Sequence, residues 1–67
     1  MTENDMRLIA EEWLNELIEE LYPETRKRIE KALKENSVDK LDRRDRFIYT
    51  SIKEFQNTWG DLPSAIQ

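Results

Sequence analysis

The sequence predicts an all-α protein, a small bundle of three helices with short connections and antiparallel, hairpin-like packing. One glycine and two prolines in 67 residues leave few points at which a helix must end. Charged residues make up 39% of the chain, mostly the Glu, Lys and Arg that helices accept readily. We expect one domain over 1–67, with helices at about 3–21, 23–36 and 40–59 and a flexible tail at 61–67.

The first helix is predicted from a cap and from apolar spacing. Thr2 and Asp5 stand three residues apart, which approximates a capping box, a reciprocal pair of side-chain-to-backbone hydrogen bonds. Apolar residues then recur in steps of three and four, as one face of a helix requires. The predicted core face consists of Met6, Ile9, Ala10, Trp13, Leu14, Leu17 and Leu21.

Four glutamates on the opposite face form what we call the glutamate ladder: Glu12, Glu16, Glu19 and Glu20. Like charges four residues apart destabilise a helix by about 0.2–0.5 kcal/mol for each pair, as in Glu12/Glu16 and Glu16/Glu20. Most acidic helix surfaces are simply solvated. Because this repulsion stabilises nothing within the helix, it nevertheless favours a contact surface for a partner.

The second helix is predicted to begin at Pro23, which suits the first turn of a helix and disfavours helical geometry at the residue before it. Its apolar face is thin, since Ile29 and Leu33 are its only large aliphatic residues. Asn36 and Ser37 prefer caps and turns, so the helix is expected to end there.

The third helix carries a heptad seam with one polar member, formed by Leu41, Asp45, Ile48, Ile52, Phe55 and Trp59. An early start, near Ser37, would place Asp45 in the seam and require a charged partner for it. A start at Asp42 is preferred, since Asp45 then lies in the first turn, where the helix dipole favours a carboxylate. Gly60 provides the C-terminal stop.

Packing is expected to join the Trp13, Leu17 and Leu21 stripe of the first helix to the third helix, with the second helix covering one side. The tail is expected to be loose, although Leu62 and Ile66 could fold back onto Trp59.

Composition argues against catalysis. Cysteine and histidine are both absent, which excludes disulfides, zinc fingers, thiol chemistry and an imidazole base. We expect no enzyme activity, no cofactor and no metal site. The acidic start and the lack of a long apolar run predict a soluble, cytoplasmic protein without membrane contact.

Charge is unevenly distributed along the chain. Residues 1–24 carry eight acidic and one basic residue, whereas residues 25–46 carry five acidic and nine basic ones. The two segments could attract each other within one fold, or they could face partners, and the sequence leaves both interpretations open.

The main functional hypothesis is a non-catalytic protein-binding module, a small regulator or inhibitor with the acidic first helix as its contact face. A chain of this length buries little apolar surface, which also predicts a homodimer. Leu8, Ile18 and Phe47 fall outside the predicted core faces and support an interface. The candidate partner-binding residues are Glu12, Glu16, Glu19, Glu20, Leu8, Ile18 and Phe47.

Two alternatives remain. The first is a small nucleic-acid-binding protein that contacts phosphates through Arg26, Lys27, Arg28, Lys40, Arg43, Arg44 and Arg46. Acidic residues interleave these cations and weaken the signal. The second is a structural protein that assembles with copies of itself.

Overall fold

The computed structural model describes residues 2–67, and all regular structure in this part of the chain is helical. It consists of three α-helices and a short 3-10 turn near the C terminus. The helices pack against each other, which confirms the predicted three-helix fold. Their bounds are α1 (Glu3–Glu19), α2 (Pro23–Glu35) and α3 (Arg43–Trp59), followed by the 3-10 turn (Ser64–Ile66).

Side-chain caps fix where α1 and α3 begin. Thr2 Oγ1 accepts a hydrogen bond from the Asp5 backbone N–H at 3.2 Å, and Asp5 Oδ2 accepts one from the Thr2 N–H at 3.3 Å. The capping box is therefore confirmed. Asp42 Oδ1 accepts from the Asp45 N–H at 2.8 Å, so α3 begins at residue 43, after the preferred cap and not at residue 40.

Replacing Asp42 with alanine should lower the free energy of unfolding by about 1 kcal/mol, because the first turn of α3 loses its capping acceptor. Urea denaturation followed by circular dichroism measures the change. Thr2→Ala is the matched control, and it should cost less because the capping hydrogen bonds of Thr2 are exposed to water, whereas that of Asp42 is partly buried. Equal losses for both variants would contradict this difference.

A residue with a positive φ angle follows the C-terminal end of α2 and of α3. Asn36 (φ 54°) follows α2 and Gly60 (φ 82°) follows α3, both in the left-handed region. Glycine adopts this conformation without strain, and asparagine tolerates it better than most residues. The predicted stop at Gly60 is confirmed.

α1 and α3 run antiparallel. Ala10 and Trp13, in the first half of α1, line the same depression as Thr58 and Trp59 at the end of α3. The last turn of α1 and the residues just after it line another depression with the first turns of α3. The predicted pairing of the two long helices, with α2 packed on α3, is confirmed.

The core lies where the three helices and the C-terminal turn meet. Ile18, Ile29 and Ile52 contribute one fully buried side chain from each helix. Four of the six predicted seam residues are buried within α3, at Asp45, Ile48, Ile52 and Phe55. Leu41 is buried just before the helix, and Trp59 is only partly buried. The whole buried cluster is Ile18, Ile29, Ala32, Leu41, Ile48, Tyr49, Ile52 and Ile66.

The buried face of α1 differs from the predicted one. Ile18, predicted to point away from the core, is completely buried, together with Leu14. Met6, Ile9 and Trp13, predicted to lie in the core, are about half exposed. The reason is that α1 packs between α3 on one side and the C-terminal turn on the other. A helix with two neighbours buries the strip between them, which here centres on Leu14 and Ile18.

The segment 61–67, predicted as a flexible tail, is folded against α1 in the structure. Pro63 and Ile66 are buried. The Asn15 side chain holds the turn from both sides, since its Nδ2 donates to Ser64 Oγ at 2.9 Å and its Oδ1 accepts from the Ala65 N–H at 3.0 Å. The buried Ile66 and these hydrogen bonds together offset the entropy that a free end would keep.

Asp45 combines the two alternatives considered for it. It lies in the first turn of α3 and is also buried, with the Arg28 guanidinium at 3.6 Å from its carboxylate. The helix dipole and the Arg28 guanidinium both stabilise the Asp45 carboxylate, which would be costly to bury without them.

Replacing Arg28 with methionine should lower the free energy of unfolding by about 1–2 kcal/mol, since the buried Asp45 carboxylate loses its counter-charge. The expected loss is moderate because Arg28 is about half exposed and water can take its place. Lys31→Met is the control, because it breaks only the exposed Lys31–Glu35 pair at 3.9 Å. Equal loss of stability in urea denaturation for the two variants would count against the ion pair.

Candidate protein-interaction surface

An open groove runs along the junction of α1 and α3, and we call it the α1–α3 groove. It consists of two depressions of about 240 and 200 Å³. Leu14 and Phe55 lie at the base of the first depression, and Leu17 and Ile48 belong to the second. The base of the groove is thus the outer edge of the hydrophobic core.

Large apolar side chains stand along the groove and remain in contact with solvent. Trp13 of α1 is 52% exposed and Phe47 of α3 is 60% exposed. Met6 and Ile9 lie seven and four residues before Trp13, on the same side of α1. We call Met6, Ile9, Trp13 and Leu17 the apolar stripe. Single exposed hydrophobes are common, but a contiguous row beside a groove indicates an interaction surface.

The hydroxyl groups in the first depression form hydrogen bonds within α3. Ser51 Oγ donates to the Phe47 carbonyl at 3.0 Å, and Thr58 Oγ1 donates to the Glu54 carbonyl at 2.8 Å. Their donor capacity is thus used inside the helix. This part of the groove therefore suits apolar side chains.

One polar group at this end of the bundle lacks a partner. Trp59 Nε1 is buried without a hydrogen-bond acceptor among residues 2–67. Such a group destabilises a fold by about 1–3 kcal/mol. Every other buried side-chain nitrogen or oxygen in residues 2–67 has a hydrogen-bond partner.

The glutamate ladder is exposed along its whole length. Within residues 2–67, none of its carboxylates lies within 4.0 Å of a cationic nitrogen. The ion pairs that do form link Arg7 to Asp61, Arg26 to Glu30, Arg28 to Asp45 and Lys31 to Glu35. None of these four pairs joins α1 to the basic segment 25–46. No direct ion pair among these four therefore supports the attraction between segments 1–24 and 25–46 that the sequence suggested.

The ladder and the apolar stripe are neighbours on α1. At 100° per residue, Glu16 and Glu20 lie on the same side of α1 as Ile9 and Trp13, and not on the opposite face that the sequence predicted. Glu20 also lines the second depression of the groove. Glu12 and Glu19 lie further round the helix, about 100° and 120° from Trp13, and face away from the groove. The surface beside α3 is therefore apolar toward the start of α1 and acidic toward its end.

The predicted partner-binding residues are divided by the structure. Phe47 and Glu20 line the α1–α3 groove, and Glu16 lies beside the apolar stripe by helical angle. Leu8 is 54% exposed but lies on a different side of α1. Ile18 is a core residue and is removed from the candidate set.

Met6, Ile9 and Trp13 are the interface candidates that the sequence prediction missed, because they were assigned to the core. One signal for them was present in the sequence. The apolar arc of α1, from Ile9 round to Ile18, is wider than one neighbouring helix can cover.

The basic residues of the nucleic-acid alternative are partly engaged in the fold. Arg26 donates to the Ala65 carbonyl and pairs with Glu30, while Arg28 pairs with Asp45. Arg46 Nε donates to the Leu41 carbonyl at 3.1 Å. The remaining cations are exposed, namely Lys27, Lys40, Arg43 and Arg44. Nucleic-acid binding stays a prediction from the sequence.

Comparison with known proteins gives no match to a protein-family model, a curated protein or a solved structure. Residues 2–67 hold no group of three or more acidic side chains placed to bind a metal ion. Across the same residues, no helix has the length and apolar composition needed to cross a bilayer.

Proposed function

We propose that this protein is a non-catalytic protein-binding module, a small regulator or inhibitor whose contact surface is the α1–α3 groove with the adjoining Glu16 and Glu20 of the glutamate ladder. One observation carries the proposal. A row of large exposed apolar side chains and an uncompensated row of carboxylates lie side by side on α1. Exposed apolar surface and repulsion between neighbouring carboxylates are both unfavourable in the free protein. A partner that covers this surface relieves both.

The size of this surface is adequate for a specific contact. A standard interface covers about 800 Å² on each partner, or roughly a sixth of the 5090 Å² accessible surface of this chain. The apolar stripe extends over about 16 Å of α1, at a rise of about 1.5 Å per residue. Trp13 and Phe47 are the aromatic anchors on which interface energies usually depend.

The direct test is affinity purification from cells that produce the protein naturally, followed by mass spectrometry. The wild type is compared with an Ile9→Ser/Phe47→Ser variant, both changes being at exposed positions. Leu8→Ser is the matched control, since Leu8 is equally exposed but lies away from the groove. We expect a protein that the wild type and the control capture and the groove variant loses. Identical captured sets for all three would refute the proposal.

The acidic half of the surface has its own test. Changing Glu16 and Glu20 to lysine should reduce partner capture at least about tenfold, since two attractive contacts become repulsive. Circular dichroism should show unchanged helicity, because these side chains are exposed. Capture that is insensitive to the reversal would remove the ladder from the proposed surface.

Self-association through the same groove is the competing proposal. The exposed apolar stripe would also support a homodimer, as the sequence predicts. Sedimentation velocity of the wild type and of Ile9→Ser/Phe47→Ser distinguishes the two proposals. A dimer that the double variant converts to monomer would favour self-association, and a wild-type monomer would favour a different partner.

A further inference from the structure

We infer that the occupant of the α1–α3 groove is a basic amphipathic helix of a partner protein. This inference rests on the proposed function and adds the chemistry of the partner. It follows from the shape of the groove, from the chemistry of its lining and from the charges along its borders.

Shape favours a helix. The groove lies between two antiparallel helices, and a third helix packs into such a groove by fitting its side-chain ridges between theirs. About 16 Å of apolar stripe corresponds to three helical turns of a ligand. The ligand would present aliphatic residues in steps of three and four to Trp13 and Phe47, over a lining whose Ser51 hydroxyl is already satisfied.

Charge determines which kind of helix fits. The segment 8–25 contains six glutamates and no lysine or arginine. On the α3 side, Glu54 lines the first depression, and Arg44 lines the second. The charged residues on the α1 border are therefore all acidic, and those on the α3 border are mixed. Lysine or arginine along one flank of the ligand would relieve the repulsion between Glu16 and its neighbours.

The same charges disfavour a second copy of this chain. A two-fold axis through the middle of the stripe would bring the α1 borders of the two copies together. Glu20 of one copy would then lie level with Glu3 of the other, and Glu16 would lie level with Arg7, whose guanidinium already pairs with Asp61. Like charges placed opposite each other weaken an interface, whereas a basic helix meets no such penalty.

The test uses a designed peptide of about 18 residues, because shorter isolated helices are marginal in water. The basic peptide has leucines in steps of three and four and lysines on both flanks of that row. An acidic peptide replaces each lysine with glutamate, and a polar peptide replaces each leucine with serine. Fluorescence anisotropy of the labelled peptides measures binding to the full chain. We expect the basic peptide to bind at least about tenfold more tightly than either control, and increasingly weakly as salt is raised.

Variants of the protein locate the bound peptide. Ile9→Ser should weaken binding of the basic peptide by roughly tenfold or more, since an apolar anchor is lost, and Leu8→Ser should leave it unchanged. Glu16→Gln/Glu20→Gln should weaken it about three- to tenfold. The matched control, Glu24→Gln/Glu35→Gln, removes the same charge from α2 and should have no effect.

Three outcomes would overturn the inference. They are equal binding of the acidic peptide, binding insensitive to Ile9→Ser, and a wild-type dimer that Ile9→Ser dissociates. If the peptide test fails, the capture experiment still tests the proposed function separately. If the groove variant still loses a protein that the wild type captures, the surface binds protein and only the chemistry of its occupant is wrong.

Discussion

Replacing Ile18 with alanine should lower the free energy of unfolding by about 2–4 kcal/mol, one of the two largest effects expected in this protein. Ile18 has no exposed surface and lies in the core cluster contributed by all three helices and the C-terminal turn. Its truncation removes apolar contacts and leaves a cavity that the surrounding side chains fill only in part. A 67-residue domain has only about 3–5 kcal/mol to lose. Urea denaturation followed by circular dichroism should show a much lower midpoint.

Ile9 provides a matched control in the same helix. It is the same residue type, 51% exposed, so Ile9→Ala should change stability by less than about 1 kcal/mol. Alanine also has the higher helix propensity, which offsets part of the lost contact. If Ile9→Ala proves as destabilising as Ile18→Ala, the buried face of α1 has been assigned incorrectly.

Ending the chain after Gly60 should leave a protein that is largely unfolded at 25 °C. This truncation removes the buried Pro63 and Ile66 and exposes the side of α1 that they cover. The loss of Ile66 alone is expected to cost about 2–4 kcal/mol, which is comparable with the whole stability of such a small domain. Asn15 and Glu11 also lose their hydrogen-bond partners in Ser64 and Ala65. Circular dichroism at 222 nm measures the remaining helix content.

A chain lacking only Gln67 is the control, because this residue is exposed at the end of the C-terminal turn. It should keep the wild-type spectrum and melting curve. A truncated chain that melts like the wild type would show that the segment 61–67 behaves as the flexible tail that the sequence predicts.

Local signals in the sequence predicted most of the fold. The Thr2 and Asp42 caps, Pro23 and Gly60 act within a few residues of their own position, and each marks a boundary observed in the structure. The seam of α3 was also predictable, since one repeating pattern covers the whole helix. The buried face of α1 was not, because it depends on the packing of the distant segment 61–67. No sequence feature near Ile18 indicates that Ile66 will join the same buried cluster.

The candidate site, like the fold, could be predicted from the sequence only in part. The exposure of the glutamate ladder could be predicted from helical periodicity, and the exposure of Phe47 from its angle to Ile48 and Ile52. The exposure of Met6 and Trp13 could not be assigned, because the wide apolar arc of α1 indicates that part of it is uncovered but not which part. Only the three-dimensional arrangement shows that α3 and the C-terminal turn leave them uncovered.

A methyl-labelled NMR titration with the basic peptide most directly tests the division of α1 into a core face and a binding face. We expect the Ile9 methyl resonances to shift progressively with added peptide, while those of Leu8 and Ile18 stay in place. The indole N–H resonance of Trp13 should move with Ile9. Unchanged Ile9 resonances together with shifts at Leu8 or along α2 would contradict the account, because the peptide would then bind outside the α1–α3 groove.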